Sequence, residues 1–367
     1  MNKRFDIAVL ITLAGLFTAA CSKVEMTNSA PESISYSVGS YAAQTKTSSY
    51  KDTENLEVFN SKAFLHAQGA AEGNVFFNSS IYWDGETWSP ENDQFWPKHP
   101  ASYINFVSWY ANNGTQDIVP NTVTETSFEI LNYTVGAQDR ILIADEAWRQ
   151  TSNSATYNYN GVSSGVPTLF RHLLSRVKIN MSASLVTDPN DNTVTYQVTL
   201  QEAHLEGIFR TGTLSLYNSD PNSRATNTWR CSGEPILLWA KVQGSNSGNI
   251  SLESSNTTLS AEEATTVLSE RSFMPQALNS SSMKMVITYT VTTKSNGTTT
   301  AEERDIPATI VLNTIKNTSG VVINQWVPNK KYTYNIAINP ISQEILLNPT
   351  VETDWTGDVN TISISVE

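Results

Sequence analysis

The chain has 367 residues, 39% hydrophobic, 10% aromatic and only 16% charged, a length for about two domains and a composition that excludes a coiled coil or a Lys/Glu-rich helical repeat. Nine Trp, fourteen Tyr and twelve Phe supply too much buriable area for a disordered chain. Thirty-five acidic against twenty-three basic residues give a net charge of -12, which repels a phosphate backbone and excludes nucleic acid as a partner.

Lys3 and Arg4 precede an apolar run from Ile7 to Phe17. At about eleven residues it is too short to span a bilayer as a helix and reads as the core of a signal peptide over residues 1–20. The run ends Thr18-Ala19-Ala20-Cys21, which resembles the lipobox of bacterial lipoproteins, with Thr18 where Leu is usual. That resemblance implies lipidation of Cys21, which would become the first residue of the mature chain. Acyl chains then give membrane affinity at about 0.8 kcal/mol per buried methylene. Residues 21–33 are polar and unpatterned and read as a tether.

Beyond the tether, short runs alternate apolar and polar residues with a period of two. Examples are 56–59, 103–109, 194–200 and 283–291, all rich in β-branched or aromatic residues. Turn signals lie between them at Asp84-Gly85, Asn113-Gly114, Asp188 to Asn192 and Ser295-Asn296-Gly297. The fold class read from this pattern is all-β, with strands spaced as in a β-sandwich. Thr151 to Gly165 has no apolar period and marks the division between an N-terminal domain at 34–165 and a C-terminal domain at 166–367. The segment from Leu169 to Met181 begins with helix-like spacing, as helix or bulged strand, and turns into clean alternation at Val177.

Signals for chemistry are weak. His66, His99, His172 and His204 have no mutual metal-ligand spacing, so no metal is expected. His172 reads as a core or domain-interface residue. No nucleophile elbow, phosphate-cradling loop or CxxC pair occurs, which predicts no cofactor and no enzyme. Asp145-Glu146, Glu202 with Glu206, and Glu262-Glu263 read as solvated surface charge rather than as paired catalytic carboxylates. The Asp188 to Asn192 cluster lacks the Gly and distal Glu of a calcium loop and reads as a turn. Cys231 reads as a small buried apolar residue. Trp83, Trp88, Trp96 and Trp109, with Tyr82 and Tyr110, read first as core and second as a sugar-stacking platform.

The two ends of the chain match. Ile34-Ser35-Tyr36-Ser37-Val38 and Ile362-Ser363-Ile364-Ser365-Val366 share one alternation, with a single aromatic exchanged for Ile. Strands of matching period and size can occupy one groove, where main-chain hydrogen bonds hold the guest and alternate side chains fill pockets. Burying Ile34, Tyr36 and Val38, or Ile362, Ile364 and Val366, is worth about 5–9 kcal/mol before ordering costs.

Five further blocks stand in order along the chain: Phe95-Trp96-Pro97 with Tyr103 to Tyr110, Asp139 to Ala144, Leu169 to Val177, Trp326 to Tyr334, and Val351 to Trp355. Together they resemble the fimbrillin-like (Mfa-like) lipoproteins of Bacteroidetes, the subunits of type V pili. The resemblance implies two tandem transthyretin-like Greek-key β-sandwich domains, exported as an outer-membrane lipoprotein and assembled on the cell surface into fimbriae. It also implies a trypsin-like protease that removes the N-terminal strand after a basic residue, so that a C-terminal strand of another subunit fills the opened groove. Lys46 stands where many relatives have Arg, which makes it the cleavage candidate and puts an Arg-specific protease in doubt. The partners implied are other pilin subunits, in a homo- or heteropolymer, and the membrane through the lipid. The alternative is a tip adhesin or glycan-binding lipoprotein that does not polymerise and contacts surface glycans or proteins.

Overall fold

A computed structural model describes residues 33–40, 56–67, 70, 72–97, 103–145, 147–150, 165–217, 229–239 and 257–352. The expected signal peptide, Cys21, Lys46, His99, Glu146, residues 151–164 and the tail at 362–366 lie outside these residues. Twenty-three strands and one short 3-10 turn at Leu312–Thr314 make the described chain all-β, in agreement with the period-two pattern. No helix among the described residues is long and apolar enough to cross a membrane.

The first ten strands are β1 (Tyr36–Ser40), β2 (Val58–His66), β3 (Asn74–Trp83), β4 (Trp88–Pro90), β5 (Tyr103–Asn112), β6 (Thr122–Val123), β7 (Ser127–Thr134), β8 (Arg140–Ala144), β9 (Ala147–Gln150) and β10 (Val166–His172). Seven of them close a ring in the order β2-β3-β4-β1-β10-β8-β5, with β5 pairing back onto β2. The alternation of β5 explains its place. Ile104 and Phe106 point into the ring with Phe59, Ile81, Trp88, Trp96 and Phe170. Val107, Trp109 and Ala111 point outward into a second apolar layer with Phe128, Leu214 and Trp229. Strand β8 is likewise buried on both faces, which is why Ile141-Leu142-Ile143-Ala144 reads as a continuous apolar run.

The remaining strands are β11 (Ser175–Ala183), β12 (Val194–Ile208), β13 (Thr211–Tyr217), β14 (Trp229–Ser232), β15 (Ile236–Trp239), β16 (Thr257–Leu259), β17 (Thr265–Phe273), β18 (Gln276–Ala277), β19 (Lys284–Ser295), β20 (Thr298–Val311), β21 (Gln325–Trp326), β22 (Lys331–Ile338) and β23 (Ile345–Glu352). A sheet β17-β11-β22-β23 faces a sheet β15-β12-β19-β20, and the two share one core. Its members include Val177, Ile179 and Met181 of β11, Tyr332, Tyr334 and Ile336 of β22, and Met285, Ile287 and Tyr289 of β19. The hairpin β13-β14 turns away to pair with β7 and β6.

Strands from both sides of residue 165 therefore share sheets. Strand β10 lies between β1 and β8, and β13 pairs with β7. The ambiguous segment after Leu169 is strand, interrupted only by a bend at Leu173-Leu174, whose side chains are fully buried. The Asp188 region is a turn: the Asp188 N–H donates to the Val194 carbonyl, and its carboxylate accepts the Asn190 N–H.

The outer face of the β17-β11-β22-β23 sheet carries two polar rows. In one, Thr266 donates to Asn180, Asn180 to Asn335, and Asn335 to the Asn348 carbonyl, so the row crosses all four strands. In the other, Glu270 accepts from Arg176 at 2.9 Å and from Lys331 at 2.7 Å, with Glu352 of the edge strand 3.9 Å from Lys331. Burial raises the Glu270 pKa, but Lys331 and Arg176 outweigh it and hold the carboxyl below its usual value of 4.5. A depressed carboxylate contributes stability that is complete above its unfolded pKa and is lost as pH falls through the folded one. Acid unfolding below about pH 4.5 should therefore be shallower in Glu270→Gln than in the parent. Melting temperatures across pH 2.5–7 check this, and parallel curves would contradict it (range set by carboxylate titration, roughly pH 3–5).

Candidate strand-acceptor groove

The seat of β1 is built on three neighbours. β10 pairs with it in parallel over five positions, Tyr36 with Val166 through Ser40 with Phe170. β4 touches it at one position, Tyr36 opposite Trp88. Ahead of the strand, Ser33 forms a bridge with Phe95, and the Ile34 N–H donates to the Gln94 carbonyl at 2.7 Å. One side of β1 is thus a full ladder and the other a single contact. β1 is the strand that lies between β4 and β10 around the ring.

Side chains follow the expected alternation. Ile34 and Tyr36 are buried and Val38 packs partly against the same core, while Ser37 is exposed. The Tyr36 ring meets Phe59 and Phe106 edge-on, with centroids 5.5 and 5.9 Å apart. Its hydroxyl donates to Ser61 Oγ at 2.9 Å, and Ser61 Oγ lies 2.9 Å from Ser108 Oγ. Burial pushes the Tyr36 pKa well above its ordinary value, so the hydroxyl stays protonated as a donor. Phe170 and Trp88 close the pocket around Phe59, each with a ring centroid 5.3 Å from it.

Sequence reading missed Gly165, which shapes the mouth of this seat. Its φ is +83°, and a Cβ there would stand 2.9 Å from the Tyr36 carbonyl carbon and 3.0 Å from the Ser35 oxygen. Only glycine lets the chain come this close to the β1 backbone and then pair through the Val166 N–H to the Ser35 carbonyl at 2.7 Å. Its position just before a strand was the only signal.

Other candidates resolve into structural roles. His66 is buried against Glu125, whose carboxylate also accepts the Gly73 N–H and Asn105 Nδ2 and so pins the β6-β7 turn to the ring. His204 lies between Glu202 and Glu206, and Lys284 joins Glu206 at 3.0 Å. Asp145 is paired in bidentate fashion with Arg171. Asp145, Glu202 and Glu206, read as solvated surface charge, are partly exposed and ion-paired. Glu262 and Glu263 are exposed, as expected. His172 is buried, and burial together with Arg176 and Arg140 lowers its pKa well below the usual imidazole value. Cys231 is partly buried, and burial raises its thiol to about 11. Trp88, Trp96 and Trp109 are buried, whereas Tyr82 and Trp83 are 45% and 39% exposed. Among the described residues no group of three or more His, Cys, Asp or Glu could hold a metal ion.

A model of the fimbrillin-like family matches residues 42–355. The chain belongs to the fimbrillin-like family. This agrees with the resemblance read from the sequence blocks and places the chain among fimbrial proteins. The match begins just beyond β1 and ends before residue 362, so residues 34–38 and 362–366 both lie outside it. Among solved structures the fimbrillin-like chain is similar to a fimbrial protein from Bacteroides vulgatus, at 15% identity and a TM-score of 0.54, covering 88% of this chain and 99% of that one. It is similar to a candidate cell adhesion protein from Bacteroides uniformis, at 13% identity, a TM-score of 0.46 and the same coverages. A third likeness is to the C-terminally truncated tip fimbrial protein Mfa3 of Porphyromonas gingivalis, at 12% identity and a TM-score of 0.34, over 82% of this chain and 95% of that one. None of the curated proteins matches.

Replacing Gly165 by Ala should unseat β1 while leaving the rest of the fold in place, at a cost of about 1–3 kcal/mol from backbone strain alone. Hydrogen exchange at amides 36–40 should rise at least tenfold relative to β19. Unchanged protection there would show that the close approach is not needed.

Proposed function

We propose that this fimbrillin-like chain is a structural subunit of a surface fimbria in which β1 is a provisional strand and the seat between β4 and β10 accepts the tail of another subunit. The chain is exported as a lipoprotein, is lipidated at Cys21 and reaches the outer membrane on that anchor. Cleavage near Lys46 frees β1, and residues 362–366 of a second copy take its place. Two transthyretin-like domains form the body that repeats along the filament.

The observation that carries this reading is how β1 is held. It lies between β4 and β10, and Tyr36 within it and Ile34 just before it are core residues. Removing it exposes an apolar groove and a row of unpaired backbone groups along β10, a state that must be refilled or aggregate. The matching alternation at 362–366 supplies a strand of the right period. The family match, which spans the chain between the two segments but includes neither, supports treating both as separable from the common body.

Full-length protein treated with trypsin should form detergent-resistant ladders, and the same protein lacking residues 359–367 should stay monomeric by size exclusion while keeping its β-sheet circular dichroism. Ladders that persist after the deletion would overturn the proposal.

A further inference from the structure

The two five-residue segments that compete for the seat differ at one position, where Tyr36 of the resident strand corresponds to Ile364 of the tail. The pocket at that position is specific in its chemistry. Phe59 and Phe106 present ring faces to an aromatic edge at 5.5 and 5.9 Å, and Ser61, fully buried, accepts the hydroxyl at 2.9 Å. An isoleucine there is smaller, makes no edge-to-face contact and donates no hydrogen bond. Yet the pocket does not exclude it. Ser61 Oγ and Ser108 Oγ are already bonded to each other at 2.9 Å, so loss of the tyrosine hydroxyl orphans neither buried group. The pocket therefore ranks its occupants: tyrosine first, isoleucine second.

We propose that Tyr36 is the autoinhibitory contact of this chain, a single residue that makes the resident strand outcompete the tail of a second copy and so keeps uncut subunits from polymerising. The inference rests on the groove reading above and adds to it the residue that sets the direction of exchange. The backbone ladder with β10 is available to either strand and cannot discriminate between them. The flanking positions carry Ile and Val in both segments and cannot discriminate either. Tethering aside, all of the difference in contacts between the two strands resides at the tyrosine, and an edge-to-face pair plus a buried hydrogen bond set it at about ten- to a hundredfold. Cutting the chain abolishes the advantage by removing the resident, after which the weaker occupant has no rival.

The test uses intact full-length protein and two fluorescent peptides spanning residues 359–367, one native and one carrying Ile364→Tyr. On the parent chain the Ile364→Tyr peptide should be taken up at least tenfold more than the native peptide, as expected for a factor built from these two contacts. A Tyr36→Ile chain should take up the native peptide at least tenfold more than the parent does, because tethering of the resident is identical in the two proteins and cancels. Tyr36→Phe, which keeps the ring and fits the same space, should lie between them, and it serves if Tyr36→Ile fails to fold. Equal uptake of both peptides by the parent chain, with no change in Tyr36→Phe, overturns the inference and leaves the groove standing. If hydrogen exchange shows β1 released in Tyr36→Ile and neither peptide binds any chain, the groove is no strand acceptor, and the functional reading falls together with this inference.

Discussion

The parallel ladder between β1 and β10 is the constraint on which the N-terminal architecture depends. Five consecutive pairings close a ring that is otherwise open between β4 and β10. The closing piece is joined to the rest of the ring only through the chain that follows Ser40. A ring completed by a segment of this kind is stable as long as the segment stays, because its side chains are part of the core and its backbone satisfies the donors and acceptors of β10. In the proposed assembly the same ring becomes an acceptor once the segment leaves. Storage and assembly would then use one set of contacts, with the choice between them set by which strand occupies the seat.

Much of this was legible in the sequence. Strands exposed on one face, such as β11 and β22, show clean alternation, with Val177, Ile179 and Met181 or Tyr332, Tyr334 and Ile336 inward. The inward set Ile34, Tyr36 and Val38 was readable for the same reason, although the paired strand itself starts at Tyr36 and runs to Ser40. Strands buried on both faces lose that signal. The run Ile141 to Ala144 gives no indication of which face meets the ring and which meets the outer layer.

What remained hidden was long-range. Nothing near Gly165 in the sequence announces that it approaches Ser35 and Tyr36, 130 and 129 positions earlier in the numbering of the same contacts. Nothing near Glu125 announces that its carboxylate meets His66, Gly73 and Asn105. The segment around Leu173-Leu174 read equally as helix or bulged strand because two adjacent leucines break a period-two pattern. They do so because the chain turns a corner there between two cores, and both side chains are needed inside.

That corner has a mechanical meaning. Strand β10 flanks the groove, β11 is the inner strand of the second sandwich, and both run in one covalent stretch from Val166 to Ala183. Each is paired in parallel with its partner, β10 with β1 and β11 with β22. In the proposed filament, tension on whatever fills the groove would pass along this stretch as along a tendon. Ladder hydrogen bonds lie across the strands, so a pull along the axis strains them side by side instead of opening them one at a time.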